Sequence, residues 1–295
     1  MPEPEISVIV ASFNSSATIS ATLDSLYRQE GDVPYEVIVV DSSRDGAGEL
    51  VARCYPQVRL FCFTERRYPG DARNYGATRA QGGILAFTDA DCTIDSNFIS
   101  EIYEAHKAES PVIGGVIANG NPESYIGWAH YFAEFSQWMP QREACVMGEI
   151  PTCCLSMKRW AFEKYGPFLE GIYCSDTAFH WRIREGGHTP WLRPTLCVAH
   201  TNINSFGRLM HKQIFHGRSF ACLRMNYQTF TRAHRVVYIL FAPLLPIVLF
   251  MRTLGRVLRK GVYRKQFAYT FPLVFLSLTA WSWGELKGYL SGPTF

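Results

Sequence analysis

The sequence predicts an α/β protein: a mostly parallel sheet with helices on both faces, followed by apolar helices. Three observations carry this. Short apolar, β-branched runs at 6–10, 35–40, 58–63 and 83–88 alternate with helix-patterned segments, as expected of parallel strands joined by crossover helices. Two of these runs end at an aspartate, Asp41 and Asp89. Two long uncharged runs, 236–251 and 267–283, follow in the last third of the chain.

"ISVIV" (6–10) reads as the first strand, since β-branched residues fit a pleated, buried surface. Asn14, Ser15 or Ser16 can cap the helix that follows, whose Ile19, Leu23 and Leu26 share one face. "YEVIVV" (35–40) is the second strand and "VRLFCF" (58–63) the third. A short helix over 71–80 leads to the fourth, "GILAFT" (83–88). Asp176 opens a helical stretch that stops at Gly186-Gly187, and "TLCVAH" (195–200) is a further apolar run ending at His200. An α/β domain over 1–230 and a hydrophobic, basic region over 231–295 are expected.

The formal charge of +3 is nearly balanced, which argues against a nucleic-acid partner. Basic residues instead crowd the last third. Nine cysteines with no C-x-x-C pair suggest free thiols in a reducing compartment. "MPEPEISVIV" has no basic start or cleavage signature, so the catalytic domain is expected in the cytoplasm.

In open α/β sheets ligands bind outside the carboxyl ends of the strands. Asp41 and Asp89 fall there, and Asp91, two residues on, points the same way as Asp89. Two carboxylates so close repel each other unless a cation lies between them. Paired oxygen donors suit Mg²⁺ or Mn²⁺, especially where phosphates complete the shell. The bland alternative is a polar strand end. The chain has neither G-x-x-x-x-G-K-[ST] nor a G-x-G-x-x-G after the first strand, which excludes a P-loop and argues against a Rossmann dinucleotide site.

Four segments in order, "SVIVASFN" (7–14), "VIVVDSSRDG" (37–46), "PGDARNYGATRAQGGILAFTDADC" (69–92) and "SDTAFHWRIREGG" (175–187), resemble the family 2 glycosyltransferases of GT-A fold. The resemblance covers about residues 5 to 200. It implies a nucleotide-binding sheet and an inverting transfer from a nucleotide-diphosphate sugar donor. Ala11, Ser12 and Phe13 would pass under the nucleotide base, Asp41 would bond it, and Arg73 would lie beside the base or phosphates. Asp89 would sit near ribose and metal, and Asp91 would ligate the metal. Asp176 matches the family's general base, which takes the acceptor's proton. On its own terms Asp176 is a carboxylate favoured by a helix N-terminus, as many are. Arg182 would orient acceptor or diphosphate, or simply face solvent. His200 resembles a third metal ligand of some relatives, or is structural. Three departures stand out: Ser175 replaces the usual glutamate, "DSSRDG" lacks a second aspartate, and Ala11 replaces proline. A nucleotidyltransferase would need a Gly-rich, basic loop after the first strand, and "ASFNSSAT" is neither.

The aromatic stretch 123–139 carries Tyr125, Trp128, Phe132, Phe135 and Trp138 at helical spacing, for a core or an acceptor-facing surface. "HTNINSFGRLMHKQIFHGRSF" (200–220) is basic, as membrane-surface charge or an anionic acceptor site. The runs 236–251 and 267–283 are short for spans and carry Pro243, Pro246 and Pro272. Between them 252–266 holds six basic residues and no acid. If both runs span, this linker lies outside, against the positive-inside rule; if both lie in the interface, it stays on the anionic cytoplasmic leaflet. A pair of buried helices is the third option. The expected protein is a membrane-associated, metal-dependent glycosyltransferase with membrane lipids as partners. Its acceptor would be lipid-linked or a glycan. An anionic polyprenyl-phosphate acceptor and a non-catalytic scaffold are the alternatives.

Overall fold

The computed structural model describes residues 3–108, 110–141 and 143–293. The chain divides into two compact units. Unit one comprises 1–118, 140–171 and 175–201; unit two comprises 119–139, 172–174 and 202–295.

Unit one is built on a mixed sheet. β1 (Ile6–Ser12), β2 (Tyr35–Asp41), β3 (Arg59–Cys62) and β4 (Ile84–Asp89) pair in parallel, in the order β3-β2-β1-β4. They are joined by α1 (Ile19–Leu26), α2 (Ala47–Cys54) and α3 (Pro69–Arg79). All four strands, α1 and α3 lie where the sequence places them, while α2, between the second and third strands, is an addition. The α1 cap differs: Thr18 holds that place without a side-chain bond, while Asn14 turns left-handed at φ 52° and takes the Arg44 N–H on its Oδ1 at 3.1 Å. Its side chain stitches two loops instead of closing a helix.

Beyond β4 come β5 (Cys92–Ile94), α4 (Phe98–Ala105), β6 (Val112–Asn119), then, after unit two's α5 (Tyr125–Phe135), β7 (Cys145–Val146), β8 (Leu155–Lys158), α6 (Arg159–Tyr165), α7 (Ser175–Glu185) and β9 (Trp191–His200). These added strands extend the order as β4-β8-β6-β9-β5, and β8 runs antiparallel to both β4 and β6. The sheet is thus parallel over β1 to β4 and mixed beyond them, where β8 and the β5–β9 pair run antiparallel. Leu85 and Phe87 of β4, Leu155 and Met157 of β8 and Phe179 and Ile183 of α7 form one buried core, so α7 is seated on the sheet by its apolar side.

Unit two is helical: α5, α8 (Phe206–Tyr227), α9 (Arg232–Phe241), α10 (Leu245–Lys260) and α11 (Arg264–Ser291). The aromatic face of α5 is core, with Trp128, Tyr131 and Phe132 buried and Phe132 edge-on to Phe267 of α11 at 5.2 Å. The sequence places the boundary at 230, whereas the units part at 201/202, because α8 packs along α11. Among the described residues one helical stretch, Arg232–Lys260, is long and apolar enough to cross a membrane by length and composition.

Candidate active site

Strand register alone assembles a row of chemically active groups in unit one. Ala11 of β1 lies opposite Asp89 of β4, and Ser12 lies opposite Asp41 of β2. On the other limb of the sheet, Cys92 of β5 lies opposite His200 of β9, and the Thr201 N–H closes the ladder on the Asp91 carbonyl at 2.8 Å. Each of these positions is a strand end.

Asp41 is buried, and its Oδ1 accepts from Ser12 Oγ and Ser43 Oγ, both at 2.5 Å, while Oδ2 takes the Ser43 N–H at 3.2 Å. Its carboxylate thus braces the two loops beyond β1 and β2. Phe13 next to it is exposed, and the Arg66 guanidinium lies 4.6 Å over its ring and 5.3 Å from that of Tyr68. Together they make a flat cation–aromatic surface of the kind on which a planar base stacks. Arg66 and Tyr68 escape the sequence reading because nothing in "ERRYPG" singles them out.

Arg73, buried on α3, reaches Asp89: Nη2 donates to Oδ1 at 2.5 Å, and Nε has no partner among the described residues. The expectation places this arginine beside base or phosphates; in the structure one of its nitrogens is on the strand-end acid. Asp91 has a different neighbour, His200, whose Nε2 lies 3.5 Å from Oδ1. The two acids therefore face different neighbours, a guanidinium for Asp89 and an imidazole for Asp91.

Asp91, Cys92 and His200 place ligand atoms within 4.8 Å of one another. A carboxylate with an imidazole suits a divalent ion that accepts both oxygen and nitrogen. Cys92 fits less well: burial, then the adjoining Cys153 thiol, pushes its own thiol well above the ordinary range, so it stays protonated, 3.9 Å from Asp91 Oδ1. Asp89 is not part of that trio.

Asp176 stands in the first turn of α7, and its Oδ1 takes the following Thr177 N–H at 3.0 Å. The turn is held from behind by His180. Its Nδ1 meets the Asp176 carbonyl at 2.8 Å and its Nε2 the Ile150 N–H at 3.3 Å. Only a neutral ring protonated on Nδ1 satisfies both, and burial lowers the pKa of this histidine accordingly. Ser175 packs where a Cβ on Gly70 would sit 2.5 Å from its Oγ, so position 175 faces the start of α3. Gly70 and Arg73 are one helical turn apart on α3. The turn of α7 that carries Asp176 and the Arg73–Asp89 pair therefore meet through a single turn of α3.

Arg182 ties down a neighbouring turn. Its Nη2 donates to the Pro167 carbonyl at 2.6 Å and Nη1 to the Gly166 carbonyl at 3.4 Å. Asn74, also missed in the sequence, exchanges two hydrogen bonds with the Phe168 backbone at 2.8 and 2.9 Å, and Asp71 takes the Gly171 N–H at 2.8 Å. Their i, i+3 spacing on α3 is the one signal that could have marked them as a pair.

A braced loop beyond β1, acids at the ends of β2 and β4 and a helix N-terminus carrying a carboxylate sit on a sheet of the GT-A class. The sequence profile of Glycosyl transferase family 2 matches residues 7–166, more than half of the chain, and the chain belongs to that family. Succinoglycan biosynthesis protein ExoO of Rhizobium meliloti is 39% identical over 103 residues, 34% of this chain and 29% of that protein. Glycosyltransferase AglE of Haloferax volcanii is 25% identical over 223 residues, 73% of this chain and 72% of its own length. Among solved structures, the mannosyltransferase PcManGT from Pyrobaculum calidifontis in complex with GDP-Man and Mn²⁺ superposes with a TM-score of 0.64 at 18% identity. That match covers 96% of this chain and 87% of the other. At such identity the likeness speaks for the fold.

Proposed function

We propose that the chain is an inverting, metal-dependent glycosyltransferase. It moves a sugar from a nucleotide-diphosphate donor to a hydroxyl of a lipid-linked acceptor at the cytoplasmic face of a membrane. The observation that carries this reading is the bridge through α3, with Arg73 on Asp89 and Gly70 against the α7 turn that bears Asp176. The names of the structural neighbours support a sugar-nucleotide donor and a divalent ion, since PcManGT is described with GDP-Man and Mn²⁺ and S. aureus TarS with UDP-GlcNAc. ExoO, by its name, supports polysaccharide synthesis.

Ala11, Ser12 and Phe13 form the nucleotide side, with Phe13 and Arg66 offering a stacking face and Asp41 holding the loop in shape. Asp91 and His200 would hold Mg²⁺ or Mn²⁺, with Asp89 beside the ribose. A divalent ion there supplies charge stabilisation to the departing diphosphate. Asp176, in the first turn of α7, accepts the acceptor hydroxyl's proton as that oxygen attacks the anomeric carbon. A single displacement inverts that centre. Arg182 acts at one remove, by fixing the 166–167 turn.

Asp176→Asn tests the reading. Transfer should fall by about 10²–10⁴-fold, while Mn²⁺-dependent binding of the nucleotide diphosphate persists. Undiminished turnover in the variant would instead assign an acceptor that is already anionic, a polyprenyl phosphate. Wild-type protein that binds no nucleotide diphosphate with metal present would be a scaffold.

A further inference from the structure

Unit two carries an apolar surface that nothing in the described chain covers. Along Arg232–Lys260, Val236, Leu240, Phe241, Leu244, Ile247 and Met251 are each more than half exposed. Ridges of this kind mark a contact with another apolar phase. Exposed basic residues flank it, Arg232 before and Arg252, Arg259 and Lys265 after, and no acid intervenes between 232 and 265.

The same stretch has the length to cross a bilayer, but its packing forbids that. After the left-handed turn at Gly261, α10 folds back onto α11, and α11 runs along α8. The α8–α11 crossing is backbone-close: a Cβ on Gly217 would lie 2.0 Å from the Trp281 carbonyl oxygen, and one on Gly284 2.0 Å from that of Ile214. A buried ion pair, Arg224–Glu285 at 2.8 Å, locks the same crossing. α8 also displays exposed Arg208, His211 and Arg218. A helix fastened this way cannot enter hydrocarbon without drawing those charges in after it, which bilayers resist. The far end of α10 is tied as well. Arg256 reaches Gln137 Oε1 at 2.8 Å, and Lys260 Nζ donates to the Gln137 and Met139 carbonyls at 2.7 and 3.0 Å.

We infer that Arg232–Lys260 is an in-plane anchor. Its apolar ridge sinks into one leaflet while Arg252, Arg259 and Lys265 meet anionic phospholipid headgroups. This fixes how the proposed enzyme sits on its membrane; it rests on the membrane location proposed above and is independent of the transfer chemistry. The arrangement matches interfacial helices, which combine a basic border with a shallow apolar face.

The test uses the full-length protein and preformed vesicles of phosphatidylcholine alone or with about 30% phosphatidylglycerol. Co-flotation should rise on the order of tenfold or more with the anionic lipid. Leu240→Asp with Ile247→Asp should abolish it, and Arg252→Glu with Arg259→Glu should remove the preference for anionic lipid. Mn²⁺-dependent nucleotide diphosphate binding reports that each variant is folded. Sidedness is decisive. In Cys54→Ser/Cys62→Ser protein, an impermeant maleimide applied to sealed cell-derived vesicles with the catalytic unit outward should label both Ala233→Cys and Arg259→Cys. Labelling of only one overturns the in-plane anchor in favour of a span. A stable dimer that ignores both kinds of vesicle overturns it in favour of self-association. In neither case is the glycosyl-transfer reading touched.

Discussion

Arg73 and Asp89 offer the sharpest test of how this site is held together. The Arg73 side chain is 6% exposed and that of Asp89 29%, with Nη2 and Oδ1 at 2.5 Å. Removing one partner of a fully buried pair costs about 3–5 kcal/mol, because the other charge is stranded. Asp89 retains some water, so Arg73→Met should cost nearer ~2–3 kcal/mol. For a chain of this size that lowers the Tm by roughly 5–10 °C. Asp89→Asn strands the guanidinium instead, and should destabilise to a similar degree. The double variant removes both charges and should recover about 2 kcal/mol of the summed loss, the coupling expected of groups in direct contact. Urea denaturation of all four proteins measures this. A second arm follows from Asp91 lying two residues away: without Arg73, two acids share one sheet edge with less compensation. Mn²⁺ with a nucleoside diphosphate should then stabilise Arg73→Met more than wild type. Single losses that add to within about 0.5 kcal/mol would refute the pairing.

Asp91→Ala and His200→Ala should each weaken the metal-dependent tightening of nucleotide diphosphate binding by about 10-fold or more, read by calorimetry with and without Mn²⁺; unchanged titrations would remove both from the ion. Glu134→Gln should alter stability on both sides of neutrality. Burial opposes the Glu134 charge, but His216, Lys212 and His130 outweigh it and hold the carboxyl well below its usual range; burial likewise opposes the His216 charge, yet Glu134 raises it well above the ordinary value. The carboxylate's contribution is therefore present above pH ~4.5 and lost as pH falls through its depressed pKa. That of His216 is full below ~6.5 and lost as pH rises through its raised one. The wild-type advantage over Glu134→Gln should be largest between those limits and shrink in alkali. His106, buried beside Ser156 and with Lys158 nearby, is pushed down to about 3. It stays neutral when folded while the unfolded chain protonates near 6.5, so stability should fall as pH drops from ~6.5 towards 3. His106→Gln should relieve roughly 2–3 kcal/mol of that loss at pH 4.5, measured by denaturation at two pH values.

The first half of the sheet was legible because buried parallel strands leave uninterrupted apolar runs, as in β1, β2 and β4, and the partly exposed edge strand β3 keeps a short one after Arg59. Of the second half only the end of β9 showed, as the run 195–200. β6 has Gly114-Gly115 at its centre, where a Cβ on Gly115 would lie 2.1 Å from the Leu196 carbonyl oxygen; close strand approach demands glycine and erases the apolar signature. β5 is three residues long and gives no pattern at all. Asp41, Asp89 and Asp91 could be placed at a sheet edge from alternation alone. Their partners could not: the reach of Arg73 depends on how α3 lies across β4, and that of His200 on the antiparallel register of β5 with β9. For Arg182 the sequence does not choose, because its spacing from Asp176 is compatible with a ligand-facing arginine or one that ties a turn.

The partners change what the D-A-D sequence means physically. Had one ion been needed to reconcile Asp89 with Asp91, replacing either acid should disturb metal binding alike. Here Asp89 already has a nearly buried guanidinium, and Asp91 has an imidazole that is itself a ligand type. The two positions should therefore separate by experiment: Asp89→Asn chiefly in folding stability, with Arg73 stranded, and Asp91→Asn chiefly in ion affinity, with little change in stability. An equal loss of Mn²⁺ affinity in both would mean that the guanidinium leaves Asp89 when donor binds, and that the pair seen here is the resting arrangement of a site that rearranges around its substrate.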